Sequence, residues 1–187
     1  TLLAADGFTL VLGFELMSFA SWVLVAHDHE HAENRRAARL YLGFAALGGV
    51  SLILCFGLMA AGASAGAGFA ALRAAPPDGL RALAILLLVL IGAGSKAGLV
   101  PLHVWLPLAH PAAPSHVSAL MSAAMTKVAL YVLARVIFDL AGPAQPLFWG
   151  AVLMALGLAS AIMGALRAAL EEDTKTLLAC STIENIG

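Results

Sequence analysis

The sequence predicts an all-α polytopic bundle of transmembrane helices, and three observations carry that expectation. Of the 187 residues, 61% are hydrophobic and only 11% charged, against roughly 45–50% apolar and 25% charged in soluble domains. A chain of this size needs a polar exterior to fold in water, and this one cannot supply it, so the bilayer is the expected solvent. The apolar residues also fall into five runs, each near the roughly 20 residues that cross a core of about 30 Å as a helix. Finally, the links between the runs are polar or rich in Gly and Pro, as breaks between helices should be.

The first run, about 8–26, reads "FTLVLGFELMSFASWVLVA". A polar link, "HDHEHAENRRAAR", leads to the second at about 40–62. The link "GASAGAGFAALRAAPPDG" precedes the third at about 80–106, with Asp78 placed to cap it. Pro101 lies inside this run and should interrupt it, so a broken helix is expected there. "LAHPAAPS" separates it from the fourth run, about 116–139, with Ser115 as the expected cap. "AGPAQP" precedes the fifth, about 147–168, where Gly157, Ser160, Ala161 and Gly164 recur at helical spacing and suit close helix packing. After "EEDTK" a sixth helix is expected from about 176 through 187 and onward. The chain opens on Thr1 rather than Met and stops inside that helix, so we expect a piece of a longer polypeptide.

Charge sets orientation and excludes some partners. The links at 27–39 and 167–176 should share a side and carry Arg35, Arg36, Arg39, Arg167 and Lys175. The opposite side has Arg73, Arg81 and, near a helix end, Arg135. That excess places 27–39, the 107–115 break and 167–176 in the cytoplasm. A net charge of −1 with scattered basic residues argues against nucleic acid. Cys55 and Cys180 both sit in apolar runs and read as packing residues.

Ionisable side chains inside spans carry the functional reading, because each costs about 2.5–3.5 kcal/mol to insert. Glu15 sits near the middle of the first run, Lys96 lies within "IGAGSKAGLVPL", and Lys127 stands about 11 residues into the fourth run. The bland alternative is snorkelling to an interface, which lysine does well and short glutamate poorly. Burial and a nearby carboxylate act on a lysine in opposite senses, so such a group can exchange a proton at physiological pH. One glutamate and two lysines on separate helices supply the parts of a relay. A break at Pro101 would admit water beside Lys96, since open backbone is tolerated only beside a cavity or buried in protein.

Histidines extend this line. His116, Leu120, Ala123 and Lys127 are spaced 4, 3 and 4 apart, which puts His116 and Lys127 on one helical face about 16 Å apart. His116 could then feed Lys127 through water ordered by Ser118, Ser122 and Thr126. For His103 and His110, which flank the break, hydrogen bonds holding the kink are the favoured reading over proton carriage. The cluster His27, Asp28, His29, Glu30, His31 has metal-ligand composition but reads as a solvent-facing link. No ligand set for haem or iron–sulfur and no nucleotide loop stands out, so no cofactor or metal is expected in this chain.

The stretch "SKAGLVPLHVWLPLAHPAAPSHVSALMSAAMTKVALY" resembles the core motif of the antiporter-like proton-channel subunits of respiratory complex I, multisubunit sodium/proton antiporters and membrane-bound NiFe hydrogenases. "FELMSFASWVLV" is similar to that family's glutamate-bearing fifth helix, and "LEEDTKTLLACSTIENIG" to the start of its tenth. The resemblance implies that residues 1–187 are part of one proton-conducting transmembrane domain, with Lys96 on a broken seventh helix and Lys127 on the eighth. Glu15 and Lys96 would be its coupled pair. "APSHVSALMS" and "STIENIG" look most like the hydrogenase branch, of formate hydrogenlyase or hydrogenase-4 type, with Cys180 where tyrosine is commoner. The resemblance further implies a multi-pass subunit of a bacterial or archaeal cell membrane, seated among other membrane subunits and a peripheral redox arm holding a NiFe centre and iron–sulfur clusters. The moved ion would be H⁺, with Na⁺ or K⁺ exchange as the alternative. A membrane anchor that does not pump is the third reading.

Overall fold

A computed structural model describes residues 1–63, 66–142 and 145–187. Residues 64–65 and 143–144, each inside an expected link, lie outside the described residues. Five helical segments are long and apolar enough to span a bilayer: Gly7–Val25, Ala32–Ala61, Gly79–Ala112, Ser115–Leu140 and Phe148–Leu170. Among the described residues there is no strand, and one isolated bridge joins Asp6 to Gly68.

Helix α1 (Gly7–Val25) starts where Asp6 accepts from the Thr9 amide at 2.7 Å and from its hydroxyl at 2.9 Å, satisfying donors that a helix start leaves free. Helix α2 (Ala32–Ala61) begins eight residues before the expected 40, counting from 32. Polarity had suggested a link, but Ala, Glu and Arg are good helix formers, and Glu33 sits favourably in the first turn. Arg35 also donates to the carbonyls of His29 and Glu30 at 2.8 and 2.7 Å, tying down the short turn that remains. At 30 residues, α2 is about 45 Å long, more than the bilayer core needs.

Helix α3 (Phe69–Ala74) is one short piece in the next link. Arg73 grips Asp139 with two bonds, 2.6 and 2.8 Å, and Arg135 adds a third contact at 3.2 Å. Helix α4 (Gly79–Ala97) follows Asp78, which stands at the cap position but makes no side-chain cap bond. It is the most buried span, and it crosses α2 where Gly48 and Gly92 meet: a Cβ on Gly92 would lie 3.2 Å from the Gly48 carbonyl and 2.8 Å from Leu52.

The break in this span falls at Gly98, not at Pro101. Gly98 adopts φ 85°, and its amide and that of Leu99 both bond to the Gly94 carbonyl at 3.0 Å. This left-handed cap suits glycine, and proline commonly follows such a cap. Pro101, after a cis peptide bond, instead starts the tight turn Leu102–Trp105, which runs into α5 (Leu106–Ala112). The Val100 amide freed by the break donates to Ser160 at 2.9 Å.

The fourth span joins α6 (Ser115–Leu120), a π turn (Met121–Met125), α7 (Thr126–Ala134) and a second π turn (Arg135–Leu140). Ser115 is its first helical residue, and Pro114 holds the cap position assigned to Ser115 from sequence. Helix α8 (Phe148–Leu170) pairs with α9 (Thr174–Ile186), which begins two residues before the expected 176. Its small residues make that pairing close: a Cβ on Gly157 would meet the Gly187 carbonyl at 2.8 Å, and one on Gly164 the Cys180 carbonyl at 2.8 Å. Apolar side chains such as Phe8, Leu16, Ile53, Met154 and Leu166 remain exposed along α1, α2 and α8, as spans facing lipid or neighbouring helices require.

Three links meet at one end of the bundle. Lys175 donates to the Ala113 carbonyl at 2.9 Å, and a cavity there is lined by His27, Asp28, Asn34, residues 111–114 and Lys175. The Arg73–Asp139 pair and a bond from Gln145 to the Pro77 carbonyl (3.1 Å) mark the opposite end.

Candidate functional site

Lys96 occupies the last turn of α4, just before the Gly98 break, and is 2% exposed. Its ammonium lies 4.6 Å from the centre of the Tyr41 ring and 5.9 Å from that of Phe14, and donates to the Tyr41 hydroxyl at 3.2 Å. Aromatic faces and one oxygen therefore replace the water a lysine would otherwise hold. Trp105, from the turn after the break, packs edge-on against Tyr41 at 5.0 Å and donates its indole N–H to the Ser95 carbonyl at 2.7 Å. The break itself thus supplies one wall of the lysine pocket.

Glu15 on α1 is half-buried and close enough for its charge to act on Lys96, yet the two form no direct ion pair within 4.0 Å. Its Oε1 is shielded from solvent without a hydrogen-bond partner. The carboxylate rests on Gly49: a Cβ there would lie 2.6 Å from Oε1. Only glycine leaves that space. On its outer side Glu15 borders an apolar cavity of about 410 Å³ with Phe8, Leu12, Ile53 and Phe56.

Lys127 does not join this group. It is exposed on α7, whereas its neighbour Thr126 faces inward and donates to the Ser122 carbonyl at 2.8 Å. Among the described residues no other helix covers the side that carries Lys127, and sequence position alone could not show which side that would be. His116 is exposed in the first turn of α6. The face expected to join the two was drawn on unbroken α spacing, and the π turn Met121–Met125 interrupts that spacing between them.

His110 is 1% exposed and its Nδ1 lies 2.6 Å from the Ser118 hydroxyl, tying α5 to α6 across the proline-marked turn. His103, 6% exposed, lies in the turn after the break, with Nδ1 unpartnered. Ser118, Ser122, His110, Lys175, Thr182 and Asn185 line a cavity of about 580 Å³ between α6 and α9. Ser122 and Thr182 bridge it with their hydroxyls 2.5 Å apart. Ser118 and Ser122 are legible in the sequence, whereas Tyr41, Gly49 and Thr182 are not. A tyrosine or a glycine pair within an apolar run is unremarkable until its neighbours are known.

In the 27–31 link, His31 contacts Asp28 at 3.3 Å and both are exposed. Among the described residues no three His, Cys, Asp or Glu side chains gather closely enough to hold a metal ion.

Comparison with known proteins gives these positions a context. The family described as NADH:quinone oxidoreductase/Mrp antiporter, TM matches residues 4–187. Hydrogenase-4 component B of Escherichia coli (strain K12) is 44% identical over 184 residues, covering 97% of this chain and 27% of that protein. NADH-quinone oxidoreductase subunit N of Sphingopyxis alaskensis is 34% identical over 188 residues, covering 97% of this chain and 38% of that protein. In the structure of the Mrp complex from Dietzia sp. DQ12-45-1b, one chain superposes with a TM-score of 0.85 at 25% identity, over 99% of this chain and 35% of that one. The chain therefore spans between about a quarter and two fifths of the length of these relatives. From its first helix to its last, it belongs to the NADH:quinone oxidoreductase/Mrp antiporter transmembrane family, the antiporter-like membrane subunits.

Proposed function

We propose that this chain is part of a proton-translocating subunit of a redox-driven membrane complex of the NiFe hydrogenase or NADH:quinone oxidoreductase type. One observation carries the proposal: a lysine 2% exposed, held by an aromatic ring and one hydroxyl beside a break in its helix. A charge is seldom kept in that setting without a use. Lys96 holds and releases the proton, and the charge of Glu15, near but not paired, biases which it does. Lys127 and His116 act as the next carriers, reached through groups outside this chain's own core. The cavity between α6 and α9, with its serine, threonine and asparagine side chains, supplies room for ordered water on the way. Redox chemistry, with its NiFe centre and iron–sulfur clusters, belongs on this reading to a peripheral arm, and other membrane subunits flank the chain. The end of the bundle that carries Arg35, Arg36 and Lys175 lies on the cytoplasmic side.

Membership of a family that includes Mrp antiporters supports a second reading, exchange of Na⁺ or K⁺ for H⁺. Both are tested in inverted membrane vesicles containing the full-length protein in its native complex. Acidification of the lumen is followed with hydrogen or NADH as donor, and separately after a pulse of NaCl or KCl. Proton uptake that follows electron flow, and that Lys96→Ala or Glu15→Gln reduces at least tenfold with the complex intact, supports the redox-driven reading. A response to the salt pulse alone favours the antiporter. Unchanged uptake in Lys96→Ala, Glu15→Gln and Lys127→Ala would leave a membrane anchor that does not pump.

A further inference from the structure

The Lys96 site contains one polar group that the charge pattern did not reveal. Tyr41, on α2, is 1% exposed, and its hydroxyl is the hydrogen-bond partner of Lys96. That hydroxyl also lies 3.3 Å from the Ser18 carbonyl on α1 and 3.3 Å from the Met125 sulfur at the end of the first π turn. A phenol has one proton and can both accept and donate, whereas an ammonium only donates and a neutral amine needs a donor for its lone pair. With Lys96 charged, the oxygen accepts from it and the O–H points to Ser18 or Met125. With Lys96 neutral, the same O–H can turn toward the nitrogen.

We propose that Tyr41 is the positioning residue of the Lys96 site, its hydroxyl accepting from the ammonium and turning to donate to the amine, so that neither protonation state leaves a buried nitrogen unpartnered. Tyr41 stays a neutral phenol throughout. The proton that leaves Lys96 passes to another carrier and not to Tyr41. The proposal rests on the reading of Lys96 as a proton-holding site. Around that lysine, α1 contributes the ionisable Glu15 and α2 contributes Tyr41. Lys127 on α7 is exposed, and His103 in the turn after the break makes no hydrogen bond to Lys96. Trp105 and the Tyr41 ring keep their packing when only the hydroxyl is removed.

The test uses the full-length protein in its purified complex, in liposomes, with proton flux driven by a valinomycin-clamped potassium diffusion potential and read by an internal pH dye from pH 6 to 10. Tyr41→Phe removes an acceptor that serves the charged form more strongly than the neutral one. The alkaline limb of the flux profile then moves to lower pH by about one unit, the scale of a single charge-assisted hydrogen bond. A limb that stays in place, whether flux is unchanged or falls equally at every pH, overturns the proposal and leaves Tyr41 a packing residue. Lys96→Ala separates the role of Lys96 from that of Tyr41: undiminished flux in that variant removes the Lys96 reading itself. Loss of flux there, with an unmoved limb in Tyr41→Phe, removes only the role of Tyr41.

Discussion

Glu15 and Gly49 show how one missing atom shapes the site. The carboxylate fills the space where any other residue at 49 would place its Cβ, 2.6 Å from Oε1. Gly49→Ala must therefore push Glu15 away from α2, toward the apolar cavity lined by Phe8 and Phe56. Misplacement of a reacting group by about 1 Å can cost on the order of a hundredfold. We expect Gly49→Ala to lower proton flux about tenfold or more while the complex still assembles, checked by flux and by size-exclusion profile on the same preparation. Normal flux in an assembled Gly49→Ala complex would mean that Glu15 works without its seat on α2. Lys96 could be singled out from sequence because a charge inside an apolar run is conspicuous. Tyr41 could not, because its role depends on which atom it touches across 55 residues of chain.

At the scale of elements, hydropathy located the five spans well but misjudged their ends. Runs of apolar residues report where the chain enters lipid, whereas helix ends follow from caps. Gly98 ends α4 because a left-handed residue closes it there, three residues before the proline that seemed the natural breaker. Helix α9 starts at Thr174 because Asp173 accepts from the Thr176 amide and hydroxyl, both at 2.8 Å. Those bonds, the amide first, hold the Asp173 carboxyl below its ordinary range. A carboxyl whose folded pKa is depressed contributes stability above its unfolded pKa, and that contribution is lost as pH falls through the folded value. Amide protection in the first turn of α9, corrected for intrinsic exchange, should thus drop on acidification below the ordinary carboxylate range. Asp173→Ala should show the low protection at every pH. Hydrogen exchange read by mass spectrometry on peptides covering 171–178 checks both. A pH-independent profile in the unsubstituted protein would show that Asp173 does not hold the start of α9.

For the whole molecule, alternation of spans gathers the links at 27–31, 111–114 and 171–173 at one end, and the bond from Lys175 to Ala113 closes that end. The opposite end carries Arg73 with Asp139. The excess of positive charge predicts that the first end faces the cytoplasm. A cysteine placed at Arg36 should react with a membrane-impermeant maleimide in inverted vesicles and not in intact cells, and one at Arg73 should show the reverse. The native Cys55 and Cys180 are buried, which keeps the background low. Equal labelling of both positions from one side would contradict the topology.

The membrane class, the number of spans and Lys96 and Glu15 as buried-charge candidates are all legible in the order of residues. Each of these follows from how many apolar residues stand in a row and what interrupts them. Packing between helices settles that Lys96 is enclosed while Lys127 is exposed, that Gly98 makes the break, and that Tyr41 and Gly49 adjoin the candidate pair. A span hidden in lipid and a span hidden in protein have the same hydropathy. Which face turns inward is set by close approaches such as Gly48 to Gly92, between residues far apart in the chain.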